Sequence, residues 1–180
     1  MLIVLLAVIG VTIVRIGSLL SVHLFVGLVL IGPLVLKLAS TGYRFTRYYT
    51  GNPRYRDKGA PPTPLRLIAP VVVISTVVVM ASGVALLIGG PRSRGTFLLI
   101  HKASFFVWIA FTALHVLGHL PDLWDGLRAD YGPAARLSGA PDGRAGRALS
   151  LAGALILGVV IAILLLPQLG PWLHAHLHHH

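Results

Sequence analysis

Long apolar runs alternate along this chain with short polar stretches in which most of the positive charge is collected. A helix needs roughly 20 apolar residues to cross the hydrocarbon core of a bilayer. Four segments meet that length: 17–40, 67–90, 96–120 and 148–167. Before them stands MLIVLLAVIGVTIV, 14 residues ahead of Arg15. At 1.5 Å per residue it reaches only about 21 Å, too short to span. It has neither a basic leader nor a small-residue cleavage site, so it is a poor signal peptide. The pattern predicts an all-α integral membrane fold, a four-helix up-and-down bundle with a short or truncated N-terminal apolar helix. One transmembrane domain would cover 1–180, with helices at about 1–14, 17–40, 67–90, 96–120 and 148–167 and cytoplasmic loops at 41–66 and 121–147.

Composition strengthens this picture. The 180 residues are 56% hydrophobic and 11% charged, with a mean hydropathy of +0.83, beyond what a soluble core requires. The chain has no cysteine, which excludes disulfides, thiolate metal sites, iron–sulfur clusters and thioether-attached haem. The net charge of +10, from 15 Lys and Arg against 5 acidic residues, would suggest nucleic acid on a soluble domain. Here the basic residues lie between apolar runs, so the expected partner is the lipid bilayer and not nucleic acid. The loop after the second run holds Arg44, Arg47, Arg54, Arg56, Lys58 and Arg66 among aromatic anchors, and the loop after the fourth holds Arg128, Arg136, Arg144 and Arg147. Arg15, Arg92 and Arg94 stand across the membrane. The positive-inside rule then predicts a multi-pass protein of the inner (cytoplasmic) membrane, with the basic loops cytoplasmic and the C-terminus outward. The C-terminal LHAHLHHH has a metal-binding composition or is an added tail, and carries no functional weight.

Polar side chains at bilayer depth are costly and therefore informative. Between 67 and 90 and between 148 and 167 there is no charged residue and no histidine. The ionisable groups sit instead on the second and fourth runs. At 100° per residue, His101, Ser104, Phe105, Trp108, Thr112, His115 and His119 fall within about 60° of one line, and His23, Gly27, Leu30, Leu34, Lys37 and Thr41 within about 40° of another. The two runs are parallel in an up-and-down bundle, which puts His23 and His101 at one height near the outer face. Fourteen residues further on, about 21 Å deeper, come Lys37 and His115.

Two inward histidines at equal depth are what a b-type haem needs, one imidazole on each side of its iron. Gly27, a turn below His23, would leave room for a porphyrin, while Lys102 and Arg15, or Arg92 and Arg94, would neutralise its propionates. The competing reading is that such histidines hydrogen-bond between helices. His115 and His119 lie on the same side of one helix and could share a metal ion with Asp122, or His115 could ligate a second, inner haem. Trp108, Phe105 and Phe106 read most simply as core filling.

On HLFVG, with His23 and Gly27, and HKASFFVWIAFTALHVLGH, with His101 and His115, the chain resembles the bacterial four-helix membrane b-type cytochromes. These include the cytochrome subunit of formate dehydrogenases and the ferric-reductase-like membrane domains. The likeness covers roughly 17–167. It implies haem ligands 14 residues apart on one helix serving two stacked haems. The fourth run fits, but Lys37 stands on the second run where another histidine is expected. The strings LKLASTGYRFTRYYTG and HKASFFVW also look like a group of bacterial membrane proteins that brings no established activity with it.

The expectation is therefore an electron-transfer protein with one haem b between His23 and His101 near the outer face, or with a second, inner haem at the level of His115. Its partners would be a quinone and a redox protein, and it would be at most a cytochrome-type oxidoreductase subunit. No nucleophile–base pair, carboxylate pair or phosphate loop supports other catalysis. The alternatives are a cofactor-free transporter or metal-ion site using His115, His119 and Lys37, and a membrane scaffold that holds a partner through the basic loop.

Overall fold

The computed structural model describes residues 1–53, 63–120 and 144–172. The fold is all-α, with no strand among the described residues. The helices are α1 (Leu2–Val14), α2 (Ile16–Tyr49), α3 (Thr63–Gly89), α4 (Arg94–Gly118) and α5 (Arg144–Leu165), with short 3-10 turns at Pro91–Ser93 and Leu166–Leu169. The stretches Ile16–Tyr49, Thr63–Gly89, Arg94–Gly118 and Ala145–Trp172 are each long and apolar enough to cross a membrane, whereas Leu2–Val14 is not. The protein is thus a multi-pass membrane protein, and its many outward apolar side chains are the surface that lipid covers.

Several helices outrun the sequence boundaries. The expected loop 41–66 is helical as far as Tyr49 and again from Thr63. Nothing between 41 and 49 breaks a helix, and pairs one turn apart support it. Phe45 and Tyr49 have ring centres 4.5 Å apart, and the Arg47 guanidinium lies 6.0 Å from the Tyr43 ring centre. The helix stops at Gly51, whose φ of 82° suits glycine. Arg54, Arg56 and Lys58 lie outside the described residues. So does most of the expected loop 121–147, including Asp122, although α5 begins at Arg144, inside that loop.

The helices pack as two groups. α2 packs on α5 and carries α1; α3 packs on α4; α2 and α3 meet more lightly. The α2–α5 seam is made by small residues. A methyl on Gly32 would collide with the Ala154 carbonyl oxygen, and one on Gly158 with the Val29 carbonyl oxygen. Pro33 explains the second contact. Lacking an N–H, it cannot satisfy the Val29 carbonyl one turn earlier, and the bare Gly158 backbone lies against that oxygen, a site for a weak Cα–H···O contact. Ala162, wholly buried, extends the same small-residue row on α5 to join Leu28, Val29, Leu87 and Leu169 in the core.

α1 folds back on α2 about two residues with non-helical dihedrals, Arg15 (φ −119°, ψ 40°) and Leu19 (φ −117°, ψ 21°). Its one hydroxyl, Thr12, is turned inward and 1% exposed. α4 has no fully buried residue. It is held to α3 by polar side chains and, at its end, by Gly118 against Leu65.

Candidate functional site

The faces drawn from helical periodicity on α4 are present. His101, Ser104, Phe105, Trp108, Thr112, His115 and His119 are all partly buried, and the residues between them are exposed except for Phe111. That face meets α3. The Trp108 indole N–H donates to Thr76 Oγ1 at 2.9 Å, and Thr76 in turn donates to the Val72 carbonyl at 2.6 Å. Trp108 is therefore a hydrogen-bonded anchor between helices as well as core filling.

His23 and His101 come together. Their ring centres are 6.4 Å apart with planes at 85°. This happens although α2 and α4 are not among the closely packed helix pairs, so the two imidazoles reach toward each other across a gap between backbones.

Each ring is oriented by hydrogen bonds within its own half of the bundle. Thr12 Oγ1 donates to the Ile9 carbonyl at 2.7 Å. Its single proton thus spent, it accepts from His23 Nδ1–H at 2.9 Å. On the other side His101 Nδ1 lies 2.9 Å from the Val79 carbonyl oxygen, which can only accept. Ser82 Oγ, 3.2 Å from the same nitrogen, spends its own proton on Val79 at 3.1 Å. Both rings consequently carry hydrogen on Nδ1 and a lone pair on Nε2, the tautomer of a metal-ligating imidazole supported from behind.

The fit to a haem can be tested on these distances. A metal–imidazole bond is about 2 Å long and a ring centre lies about 1 Å beyond its nitrogen, so two rings gripping one iron in line have centres about 6 Å apart. The observed 6.4 Å meets that spacing. Perpendicular planes are compatible with it, because an imidazole is free to turn about the bond it would make to a metal. Gly27 faces open space, with no atom within 4 Å of where its Cβ would be. The spacing of the two rings thus fits the group.

Four contributors escaped the sequence reading: Thr12, Val79, Ser82 and Gly83. A Cβ on Gly83 would stand 3.1 Å from His101 Cε1 and 3.4 Å from Nδ1, so glycine lets the ring lie on α3. A signal existed for three of them. Thr12 is the one side-chain hydroxyl in an otherwise apolar 14-residue run, and the Ser82–Gly83 pair interrupts VVVMASGVALL. Val79 acts through its backbone, and no sequence pattern marks that.

The other candidates are placed as follows. Lys102 is exposed and lines a shallow groove with Arg94, Gly95, Leu98 and Leu99, about a quarter turn around α4 from the His101 face. His115 and His119 have ring centres 4.7 Å apart, but the described residues contain no group of three metal-ligating side chains. The Thr112 hydroxyl oxygen and His115 Nδ1 are buried with no hydrogen-bond partner. Lys37 is exposed. No protein-family model, curated protein or solved structure matches the chain.

Proposed function

We propose that the protein binds one haem b between His23 and His101 and serves in electron transfer across or along the inner membrane. The observation that carries the reading is the pair of imidazoles 6.4 Å apart, each backed at Nδ1 by a separate acceptor. Each ring bonds the adjacent helix of its own half through Nδ1, His23 to Thr12 of α1 and His101 to Val79 of α3, which leaves Nε2 of both for a ligand.

Such a haem would supply reversible one-electron chemistry. The chain's own part is distinct from that. His23 and His101 would hold the iron. Thr12, Val79 and Ser82 hold the ring protons at Nδ1, which keeps Nε2 basic. Gly83 keeps a side chain off the His101 ring, and Gly27, one turn from His23, would leave room for the macrocycle. The lipid-facing α4 leaves a lateral approach for an apolar electron carrier such as a quinone, and a redox partner would dock at a membrane face. The resemblance to four-helix b-type cytochromes points the same way. In this reading the basic end near Arg44 and Arg47 is cytoplasmic and the Arg15 turn is outward. The cysteine-free chain allows that to be checked by impermeant thiol labelling of single Arg15→Cys and Arg44→Cys variants.

The decisive experiment is an absorption spectrum of the purified protein, oxidised and then reduced with dithionite, after expression with ample haem. A sharp reduced α-band lost in both His23→Ala and His101→Ala is expected. A colourless wild-type protein would refute the proposal and leave the two histidines as interhelical hydrogen-bonding groups. Loss of colour in His115→Ala alone would place the ligand at the other level.

A further inference from the structure

We infer that His115 and His119, at the C-terminal end of α4, chelate a divalent transition-metal ion of the zinc or copper class, one nitrogen from each ring. This does not depend on the haem reading, which concerns the pair His23 and His101.

The first observation is spacing. Residues four apart stand on one side of a helix, a turn from each other, and the turn between these two is closed, with the His119 N–H donating to the His115 carbonyl at 3.2 Å. The ring centres are 4.7 Å apart. With a metal–nitrogen bond of about 2 Å and a ring centre about 1 Å beyond the nitrogen, rings at neighbouring positions of a square-planar or tetrahedral shell have centres about 4.2–4.9 Å apart. The observed distance falls in that interval. The His23–His101 pair, at 6.4 Å, matches opposite positions on an ion instead. The two pairs are therefore built for different coordination, one across an ion and one side by side on it.

The second observation concerns the nitrogens and their access. The buried nitrogen of His115 is Nδ1, on the face that packs on α3, so this ring can ligate only through Nε2. His119 stands just past Gly118, the last residue of α4, and both rings are only partly buried. An ion reaching them from the aqueous side has no hydrocarbon to cross, and a cation at a helix C-terminus is favoured by the aligned peptide dipoles.

The kind of ion follows from the donors. The chain has no cysteine and no glutamate, and its five aspartates (Asp57, Asp122, Asp125, Asp130 and Asp142) all fall outside the described residues. Among the described residues the site is thus two imidazoles with neither carboxylate nor thiolate. Imidazole nitrogen suits zinc, copper and nickel, whereas magnesium and calcium require oxygen. Lys37 of α2 is exposed, and its flexible stem carries the ammonium toward water. With two protein ligands, water completes the shell, so the ion is exchangeable and not a closed structural centre.

Zinc is the probe. The full chain is purified in detergent and stripped of metal, with His174, His176, His178, His179 and His180 replaced by Ala so that the C-terminal run takes no ion, and Zn2+ affinity is read by competition with a chromophoric chelator. Binding of one zinc ion is expected, with no competition from Mg2+. His115→Ala and His119→Ala should each weaken it at least tenfold, because the second imidazole no longer binds within the same molecule. His23→Ala should leave it unchanged. Combining His119→Ala with Leu117→His keeps the number of histidines but sets the second about 200° around the helix, and should bind as weakly as His119→Ala alone. Absence of zinc binding, or unchanged affinity in both His115→Ala and His119→Ala, overturns the proposal. Loss of zinc in His23→Ala overturns it by placing the ion at the other pair, and full affinity in the combined variant overturns it by showing that histidine number, not spacing, decides. Circular dichroism of each variant guards against misfolding, and His119→Ala, beyond the end of α4, keeps the test available if His115→Ala does not fold.

Discussion

Thr12→Val removes one hydroxyl and preserves almost all of the side-chain volume at a position that is 1% exposed. In the native protein Thr12 accepts from His23 Nδ1 at 2.9 Å while its own proton is held by Ile9 at 2.7 Å. Valine leaves the Ile9 carbonyl within its helix and takes away the acceptor that fixes the His23 tautomer. An unsatisfied buried donor costs about 1–3 kcal/mol. Part of that is recovered if the imidazole moves its proton to Nε2, and that escape is the nitrogen an iron requires. The loss should therefore appear in cofactor affinity more than in fold stability. Deleting a hydrogen-bonding partner behind a metal-bound histidine typically weakens binding by about 10–100-fold, or about 1.4–2.8 kcal/mol. The assay is haem titration into apoprotein followed by absorbance, with thermal unfolding of the apoprotein measured alongside. Thr12→Ser, which keeps the hydroxyl, should stay near wild type. Thr12→Val binding haem as tightly as wild type would refute the claim that the Thr12 hydroxyl holds His23 ready for the iron. An equal loss in Thr12→Ser would show that packing of the methyl group, and not the acceptor, is what matters.

Three further outcomes follow from the geometry. Gly83→Ala should weaken haem binding by displacing the His101 ring, since its Cβ would stand 3.1 Å from Cε1, whereas Gly10→Ala, with nothing within 4 Å, should be silent in the same titration. Gly158→Ala should destabilise the α2–α5 seam by at least the roughly 1–3 kcal/mol of overpacking, because its methyl meets the Val29 backbone oxygen; denaturation in mixed micelles would show it, and a neutral result would mean that the seam is looser than described. Trp108→Phe should cost about 1 kcal/mol, since Thr76 keeps its bond to Val72 when the indole N–H is lost; the same denaturation measures it.

Much of the architecture was legible from hydrophobic run length, because bilayer thickness sets helix length directly. The meeting of His23 and His101 was legible too, through helical register combined with alternating direction. Other features depend on partners distant in sequence. Nothing local to VVVMASGVALL says that the Val79 carbonyl receives a proton from a residue 22 positions away. The fold-back of α1 rests on irregular dihedrals at Arg15 and Leu19, and neither is a residue whose type demands a turn. The extension of α2 to Tyr49 was obscured by the basic residues there, which read as loop by charge although their spacing supports a helix.

The grouping of α1, α2 and α5 on one side and α3 and α4 on the other means that each half carries one imidazole already aimed, with its own acceptor, before the halves meet. A flat guest lying at that junction would join two modules that otherwise touch lightly, so its binding energy would become assembly energy. Without it, the junction should be where the protein first comes apart on heating. Amide exchange in the apoprotein would then show α3 and α4 opening together while α2 and α5 remain protected.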